Sequence, residues 1–333
     1  MNMKIIRFVF IVLVLCSVSV PRFTSAISFR FLPPLRVQKF QITSDPHQEN
    51  SPNIYQDWVV YSDWGGDGVS LRLYNIRTHE DALLLEKLGH ALNGDIYGKT
   101  VVVGDHDGVQ SDIYGIDLRT HKEFPIAMLP DSNQSDPAIF NHLVVWSDNR
   151  NGNYDIYGYS LITRVEFQIT NDTLSNHAPR IWGTKVVWYT AIGGGLYSIE
   201  GYDIAIKEKF VISSTNYGFQ QTPDIFAHHI VWVGSEDGNI YYKNLATGKE
   251  KALTTTGGKS WPRVSQRYVT WVDSEGVGAH NIYAYDLYLG RTVQISDDGA
   301  QQISPTIPDI WNDTIVWMSW HTGNGDVYGA RVR

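Results

Sequence analysis

An apolar pattern recurs seven times along the 333 residues of this sequence. Each copy opens on a proline or a glycine, has Ile or Val two positions later, and closes nine positions after its start on an apolar, usually aromatic residue. The opening residues are Pro52, Gly94, Pro137, Pro179, Pro223, Pro262 and Pro308. The closing residues are Tyr61, Val103, Trp146, Trp188, Trp232, Trp271 and Trp317. Successive copies are 39 to 46 residues apart, a period typical of four-stranded propeller blades.

Each copy predicts four strands, named a to d. A proline has no N–H group and is tolerated as the first residue of strand a, and the apolar run after a tight turn is strand b. Strand c alternates with period two at 112–118, 155–161, 281–287 and 326–332, and strand d follows at 166–170, 210–213 and 292–296. The large aromatic residues that close the b strands are expected to pack between neighbouring blades.

The two ends of the chain predict how the repeats are joined. The seventh copy stops at Arg333 after its c strand, whereas residues 40–43 have the d-strand pattern and precede the first a strand. A d strand taken from the N-terminus would remove the open sheet edges of a ring. The sequence therefore predicts an all-β fold, a seven-bladed β-propeller of four-stranded antiparallel blades. Its last blade is closed by the N-terminal strand, and residues 37–333 form one domain.

The first 36 residues predict export. Residues 8–20 are apolar, and the small residues Thr24, Ser25 and Ala26 follow. We therefore expect a signal peptide at 1–26 and a short lead at 27–36, in a protein that is secreted, at the cell surface or in the periplasm. The alternative is an uncleaved anchor, although a bilayer span needs about 20 residues. No other apolar stretch is that long, so no membrane span is expected in the mature chain.

One stretch carries a resemblance to a known family. Residues 144–157 read Val-Val-Trp-Ser-Asp-Asn-Arg-Asn-Gly-Asn-Tyr-Asp-Ile-Tyr, and Phe-Gln-Ile-Thr and Pro-x-Ile segments recur around such stretches. This repeat resembles that of TolB-like propellers from about residue 37 to 333. The resemblance implies an extracytoplasmic propeller; TolB itself has an additional N-terminal α/β domain, which is not expected here. Similar propellers accompany hydrolase domains in prolyl peptidases, but this sequence has no Gly-x-Ser-x-Gly elbow.

Composition narrows the classes of partner. The formal net charge is −8 and no basic run occurs in the body of the chain, so no nucleic-acid partner is expected. The single cysteine, Cys16, lies within the apolar N-terminal stretch, so the mature chain would have no disulfide.

The longer connections, d to a and b to c, are predicted on one face of the disc. Binding residues often lie on loops that a rigid scaffold holds, so this long-loop face and the mouth of the central channel are the expected site. Polar candidates in the b–c loops are Asp105, His106, Asp107, Asp148, Arg150 and His321. No cofactor is expected; calcium is the alternative, but Asp-Gly and Asn-Gly pairs are also ordinary turn chemistry and no EF-hand loop is present.

Three tryptophans lie outside the repeated position, in predicted long loops. Trp64, Trp261 and Trp320 are candidates to stack on sugars or to anchor a protein, and the alternative is that they pack over the blade tops. Sequons at Asn133, Asn171 and Asn312 permit glycosylation of an exported chain.

These observations leave three functional hypotheses. The first is an extracytoplasmic binding scaffold that engages a protein or glycan through its long-loop face. The second is an enzyme sited in the channel, such as a metal-dependent lyase or lactonase, whose ligands would come from different blades. The third is a structural component of the cell surface. The fold alone does not choose among them.

Overall fold

Strands account for all the regular secondary structure in the part of the chain that the computed structural model describes. That part comprises residues 34–65, 68–88, 91–217, 222–234, 237–275, 280–297, 307–320 and 323–333. The strands form seven sheets, each of four antiparallel strands, so the predicted all-β propeller with seven blades is confirmed. The expected signal peptide at 1–26 and most of the lead lie outside the described residues.

The first strand in the chain, β1 (Val37–Gln41), belongs to the last blade. Blades 1 to 3 follow in chain order, and each is a continuous meander. Blade 1 comprises β2 (Gln48–Tyr55), β3 (Trp58–Trp64), β4 (Gly68–Asn75) and β5 (Asp81–Leu88). Blade 2 comprises β6 (Ala91–Tyr97), β7 (Thr100–His106), β8 (Ser111–Asp117) and β9 (Lys122–Ala127). Blade 3 comprises β10 (Gln134–Phe140), β11 (Leu143–Asp148), β12 (Asp155–Ser160) and β13 (Val165–Gln168).

Blades 4 to 6 repeat the same order of strands. Blade 4 comprises β14 (Ser175–Trp182), β15 (Lys185–Gly193), β16 (Leu196–Asp203) and β17 (Glu208–Tyr217). Blade 5 comprises β18 (Asp224–Phe226), β19 (His229–Val233), β20 (Ile240–Asn244) and β21 (Glu250–Ala252). Blade 6 comprises β22 (Lys259–Val264), β23 (Tyr268–Asp273), β24 (Asn281–Asp286) and β25 (Arg291–Gln294).

Blade 7 joins the two ends of the described chain. It comprises β26 (Asp309–Trp311), β27 (Thr314–Ser319), β28 (Asp326–Val332) and then β1, which pairs with β28 from Val37↔Val332 to Gln41↔Tyr328. Two backbone hydrogen bonds between Arg36 and Arg333 extend the pairing. The predicted closure by the N-terminal strand is therefore confirmed.

A contact between a phenylalanine and a glycine shows that β1 takes the place of an ordinary d strand. In blades 2, 3 and 4 a phenylalanine ring of strand d lies where the β-carbon of a strand-c glycine would stand: Phe124 on Gly115, Phe167 on Gly158 and Phe210 on Gly201. In blade 7 the same pair is Phe40 on Gly329, made from opposite ends of the chain. A methyl group at any of these glycines would overlap with the ring, so the glycine is required by packing.

The core lies between the blades. Trp146, Trp188, Trp232, Trp271 and Trp317 are almost fully buried, each in an apolar cluster that joins two neighbouring blades. The expectation that these residues fill the space between sheets is confirmed. Burial of such large apolar surfaces is the main source of the stability of the ring.

The predicted proline at the start of strand a does not hold in every blade. In blades 5 and 7 strand a begins one residue after the proline. In blades 1, 3, 4 and 6 strand a begins before the proline and the pairing register shifts at a β-bulge around it. Blade 2, which has Gly94 at that position, pairs without a shift. A bulge leaves a residue out of the ladder, so a missing N–H group costs nothing there.

The residue before each of these prolines is left-handed. Ser51, Asp136, Ala178 and Trp261 have φ between 49° and 54°. A bulge turns its residues away from the regular alternation, and all four residues border the mouth of the central channel. Thus the bulges supply the rim of the channel with side chains.

No helix in the described ranges is long and apolar enough to cross a membrane.

Candidate functional site

The a strands line the central channel, and one position of the repeat faces it in every blade. This position immediately precedes the Ile or Val of the Pro-x-Ile pattern. Its seven occupants are Asn53, Asp95, Ala138, Arg180, Asp224, Arg263 and Asp309, here called the channel ring. Three carboxylates and two guanidinium groups therefore surround the channel at one level.

The three aspartates of the ring join neighbouring blades. The backbone N–H of Ile54 donates to Asp309 Oδ2 at 2.7 Å, that of Ile139 to Asp95 Oδ2 at 2.9 Å, and that of Val264 to Asp224 Oδ2 at 2.8 Å. In each case the donor belongs to the next blade. An innermost strand has an unpaired edge, and its buried N–H groups need acceptors. These carboxylates are therefore committed to holding the ring of blades together.

The two arginines balance those carboxylates. Arg263 is 3% exposed, and its Nε lies 3.9 Å from Asp309 Oδ1. Burial, reinforced by the neighbouring charge of Arg180, lowers the pKa of Arg263 to about 10. Burial raises the pKa of Asp309 to about 7, although Arg263 opposes the rise. The Asp309 side chain is 18% exposed, but that surface faces the narrow channel and not bulk water.

Aromatic side chains close the channel at its tight-turn end. One position after the Ile of each repeat stand Tyr55, Tyr97, Phe140, Trp182, Phe226 and Trp311, with Ser265 in blade 6. The Trp311 ring lies 4.4 Å from that of Tyr55 and 6.0 to 6.3 Å from those of Tyr97, Trp182 and Phe226, measured between centroids. We call this group the aromatic plug. A space of about 80 Å³ separates it from the channel ring.

The channel opens at the other end into a pocket of about 130 Å³. The channel ring forms its floor, and the bulge residues form its rim. Polar and aromatic side chains from five blades and from the connection before blade 5 line this pocket, here called the mouth: Asn53, Asn93, Asp136, Arg180, Thr222, Trp261 and Arg263. The mouth lies on the long-loop face, where the sequence analysis expected the site.

Several polar groups of the mouth have no hydrogen-bond partner within the described residues. Thr222 Oγ1 and Arg263 Nε are buried without one, and half-buried Arg180 makes no direct hydrogen bond or ion pair there. Asp136 is exposed, and its carboxylate accepts a hydrogen bond only from Ser135, at 3.1 Å, among the contacts with described residues. Buried polar groups are usually paired, so the mouth offers both donors and acceptors to a ligand.

Of the sequence candidates, Trp261 lies in the mouth, whereas Trp64 and His106 lie beside it. These last two border a groove of about 350 Å³, which also contacts Ser51, Asn93 and Asp136 of the mouth rim. Trp64 is 45% exposed. His106 is held by hydrogen bonds from its Nδ1 to the Gln110 carbonyl and the Ser111 hydroxyl.

Asp105 and Asp107 have local partners. Asp105 is buried and accepts a hydrogen bond from the Tyr114 hydroxyl at 2.6 Å. Asp107 is exposed, and its Oδ1 accepts the N–H groups of Val109 and Gln110, each at 2.8 Å. This is the turn chemistry that the sequence analysis weighed against calcium.

Asp148 and Arg150 form a local cluster in blade 3. Asp148 is fully buried and accepts hydrogen bonds from Trp146 Nε1 and from Arg150. Arg150 also pairs with Glu166 and stacks over the ring of Tyr157, 4.1 Å from its centroid. Their hydrogen-bonding groups are thus turned toward the blade and not toward a ligand.

The remaining candidates are dispersed. Trp320 is half-buried and its Nε1 has no partner in the described structure, while His321 lies outside the described residues. Among the sequons, Asn171 and Asn312 are exposed. Half-buried Asn133 uses its side-chain oxygen to accept the N–H of Ser111.

Asn53, Arg180, Thr222 and Arg263 were not among the candidates predicted from the sequence. A signal was present, since three of these occupy the x of Pro-x-Ile, a position that is charged in five of the seven repeats. Linear spacing did not show that this position faces the channel.

One group of three possible metal ligands occurs among the described residues: Asp45 and His47, which precede β2, and Asp63 in β3. His47 Nδ1 lies 3.0 Å from Asp63 Oδ1, and Arg72 Nη1 lies 3.9 Å from Asp63 Oδ2. The guanidinium group competes with a cation for the same carboxylate. In the channel, the described lining offers carboxylates that already accept backbone N–H groups, beside two guanidinium groups. Asp45, His47 and Asp63 are therefore a weak candidate site for a metal ion.

Comparison with known proteins supports the fold. No protein-family model matches this sequence, and no curated protein does either. Among solved structures, an oligogalacturonate lyase in complex with manganese is similar with a TM-score of 0.70 and 13% identity, over 90% of this chain and 97% of the other. An oligogalacturonate lyase from Vibrio parahaemolyticus is similar with a TM-score of 0.64 and 13% identity, over 89% and 96%.

A propeller domain provides a contrast. The β-propeller domain of the Trilobed protease from Pyrococcus furiosus is similar with a TM-score of 0.61 and 15% identity, over 85% of this chain and 95% of the other, and is described as having an open velcro topology. The present chain instead closes its last blade with β1. At these identities the likeness establishes the fold, a seven-bladed β-propeller, and no activity.

Proposed function

We propose that this protein is an extracytoplasmic binding propeller that takes a glycan into the mouth of its channel. The observation that carries the proposal is the set of unpartnered polar groups around an open pocket that also contains an aromatic side chain. Arg180, Arg263 and Thr222 provide donors, Asp136 provides an acceptor, and Trp261 provides an apolar face. The export part of the proposal rests on the N-terminal sequence.

A glycan fits this combination of groups better than an apolar ligand. Sugars present many hydroxyl groups, which both donate and accept hydrogen bonds, and ring faces that stack on aromatic residues. The Asn93 amide adds a group that does both. The Asn53 nitrogen already donates to the carbonyls of Ser51 and Gly94, so Asn53 adds an acceptor. The closed far end of the channel means that a ligand enters and leaves by the same opening, so the mouth is suited to the end of a chain.

Calorimetric titration of residues 27–333 with defined oligosaccharides tests this function. The probes are oligomers of galacturonate, which is acidic, and of glucose, which is neutral. We expect Trp261→Ala to weaken the binding of the better series about tenfold or more, because loss of a buried anchor costs at least about 1.4 kcal/mol. Tyr288→Ala is the matched control, since it removes a 71% exposed aromatic residue from the tight-turn face of the same blade.

Two results would count against a glycan site in the mouth. One is the absence of binding by the unmodified protein to either series. The other is equal loss of affinity in Trp261→Ala and Tyr288→Ala, which would mean that the mouth is not where the sugar binds.

A second candidate function is a lyase that acts on an acidic oligosaccharide. It is favoured by two similar structures of oligogalacturonate lyases, which match about nine tenths of this chain. Arg180 would pair with a substrate carboxylate, and the exposed carboxylate of Asp136 would be the candidate base in the mouth. The test is to incubate the protein with galacturonate oligomers and to measure the ultraviolet absorbance of unsaturated products. A lyase would increase this absorbance, whereas a binding protein would not.

A further inference from the structure

The groove beside the mouth is continuous with it. It encloses about 350 Å³ and lies between the tops of blades 1, 2 and 3. Three residues, Ser51, Asn93 and Asp136, border both the groove and the mouth. A chain whose end occupies the mouth would therefore leave it across these residues and enter the groove.

The walls of the groove repeat the chemistry of the mouth. Trp64 presents a 45% exposed ring at one side. At the other side Gln134 is fully buried, and its Oε1 has no hydrogen-bond donor in the described part of the chain. His106 stands between them, with Nδ1 already used in local hydrogen bonds that fix the ring.

The backbone of strand b also makes room for this arrangement. Gly104 lies in the wall of the groove, and a β-carbon there would overlap with the side-chain oxygen of Asn93. The glycine thus allows the Asn93 amide to lie at the boundary between groove and mouth. An amide at this boundary can bond to consecutive sugar units.

We propose that this groove is a second subsite, which receives the units that follow the one bound in the mouth, so that the ligand is an oligosaccharide and not a monosaccharide or disaccharide. The inference rests on the proposed function. Trp64 would be the stacking platform of the second subsite, as Trp261 is in the mouth. The two tryptophans would therefore report on different parts of the same ligand.

The dependence of affinity on ligand length tests the second subsite. Disaccharides and hexasaccharides of galacturonate and of glucose are titrated into the unmodified protein, Trp64→Ala, Trp261→Ala and the control Tyr288→Ala. In the series that binds, we expect the hexasaccharide to bind at least tenfold more tightly than the disaccharide. Trp64→Ala should abolish that difference without changing the affinity for the disaccharide, whereas Trp261→Ala should weaken both.

A spectroscopic measurement provides a result that does not depend on a variant. In protein labelled with 5-fluorotryptophan, the fluorine resonance of Trp261 should shift with either ligand, and that of Trp64 only with the hexasaccharide. Equal affinity for the two lengths, or a Trp64 resonance that the hexasaccharide leaves in place, would overturn the second subsite and leave the mouth intact. Absence of binding to all four sugars would overturn the proposed function, and the subsite with it.

Discussion

The two ends of the central channel are built from the same seven strands but carry opposite chemistry. At the tight-turn end, the position after the repeated Ile is aromatic in six blades, and the rings contact one another. At the long-loop end, the residues around the prolines are mostly polar, and several have no partner among the described residues. The aromatic side chains thus make one end a plug, whereas polar side chains, several of them on the backbone bulges, make the other end a pocket.

The channel ring lies between these two ends and shares features with both. Its aspartates accept backbone hydrogen bonds from the next blade, as structural groups do. Its arginines reach the floor of the mouth, as ligand-binding groups do. Variants of the channel ring are therefore needed to show which of its residues stabilise the fold and which bind the ligand.

Arg263→Met should have the largest effect on stability. The variant keeps much of the side-chain volume but leaves the carboxylates of Asp95, Asp224 and Asp309 with Arg180 as the one cation of the channel ring. Removal of one partner from a buried charge network costs about 3 to 5 kcal/mol, and we expect that loss in denaturant unfolding at pH 7. Arg119→Met is the control, because Arg119 is 73% exposed beside Asp117 and an exposed ion pair contributes little to stability.

The same variant tests whether Arg263 stabilises the fold or binds the ligand. If Arg263→Met were as stable as the unmodified protein but failed to bind oligosaccharides, Arg263 would belong to the binding end. A loss of stability with affinity retained at low temperature would assign it to the structural end.

Trp311→Ala should have the next largest effect. Trp311 lies at the centre of the aromatic plug, with its ring near those of Tyr55, Tyr97, Trp182 and Phe226. Truncation of a buried tryptophan costs about 3 to 5 kcal/mol, and we expect about 2 to 4 kcal/mol here because the ring is half-buried. Thermal unfolding measures the loss, and sugar affinity at 10 °C below the onset of unfolding should be unchanged.

Trp261→Ala tests the mouth, as Trp311→Ala tests the aromatic plug. It should lower sugar affinity and change stability by less than Trp311→Ala does. Equal losses of stability in these two variants would show that both ends are structural.

The repeat made most of the fold predictable. A proline, an Ile and a closing aromatic residue mark each copy, so the blade count followed from counting, and the d-strand pattern at 40–43 indicated the closure by β1. The bulges were not predicted, because the sequence shows that Pro137 lacks an N–H group but not that the strand begins three residues earlier.

The candidate site was less predictable, for a geometric reason. Arg180 and Asp136 are 44 residues apart and line one pocket only because the ring brings the starts of successive a strands together. Residue type alone also did not distinguish binding residues from structural ones. Asp148 is a polar residue in a predicted loop, as a ligand-binding residue would be, yet it accepts a hydrogen bond from buried Trp146. Trp261 and Trp64 were found because they depart from the repeat, and departure from a repeat is visible in one sequence.

The smallest expected effect concerns Asp309 and the pH dependence of stability. Burial raises the pKa of Asp309 to about 7, above the ordinary 3.8, so the folded protein holds this proton more tightly than the unfolded chain. Ionisation of Asp309 therefore lowers the free energy of unfolding as pH rises from about 4 to about 7, and Asp309→Asn should remove that part of the slope. We expect the free energy of unfolding of Asp309→Asn, relative to the unmodified protein, to rise by about 1 to 2 kcal/mol between pH 5 and pH 8. Urea unfolding at four pH values measures this difference, with Asp117→Asn as control. Hydrogen bonds from Arg119 lower the pKa of Asp117 to about 2, so its effect on the free energy of unfolding changes with pH only below pH 5. A difference that stays constant from pH 5 to pH 8 would mean that Asp309 is ionised throughout, and the channel ring would then present one more negative charge to a ligand in the mouth.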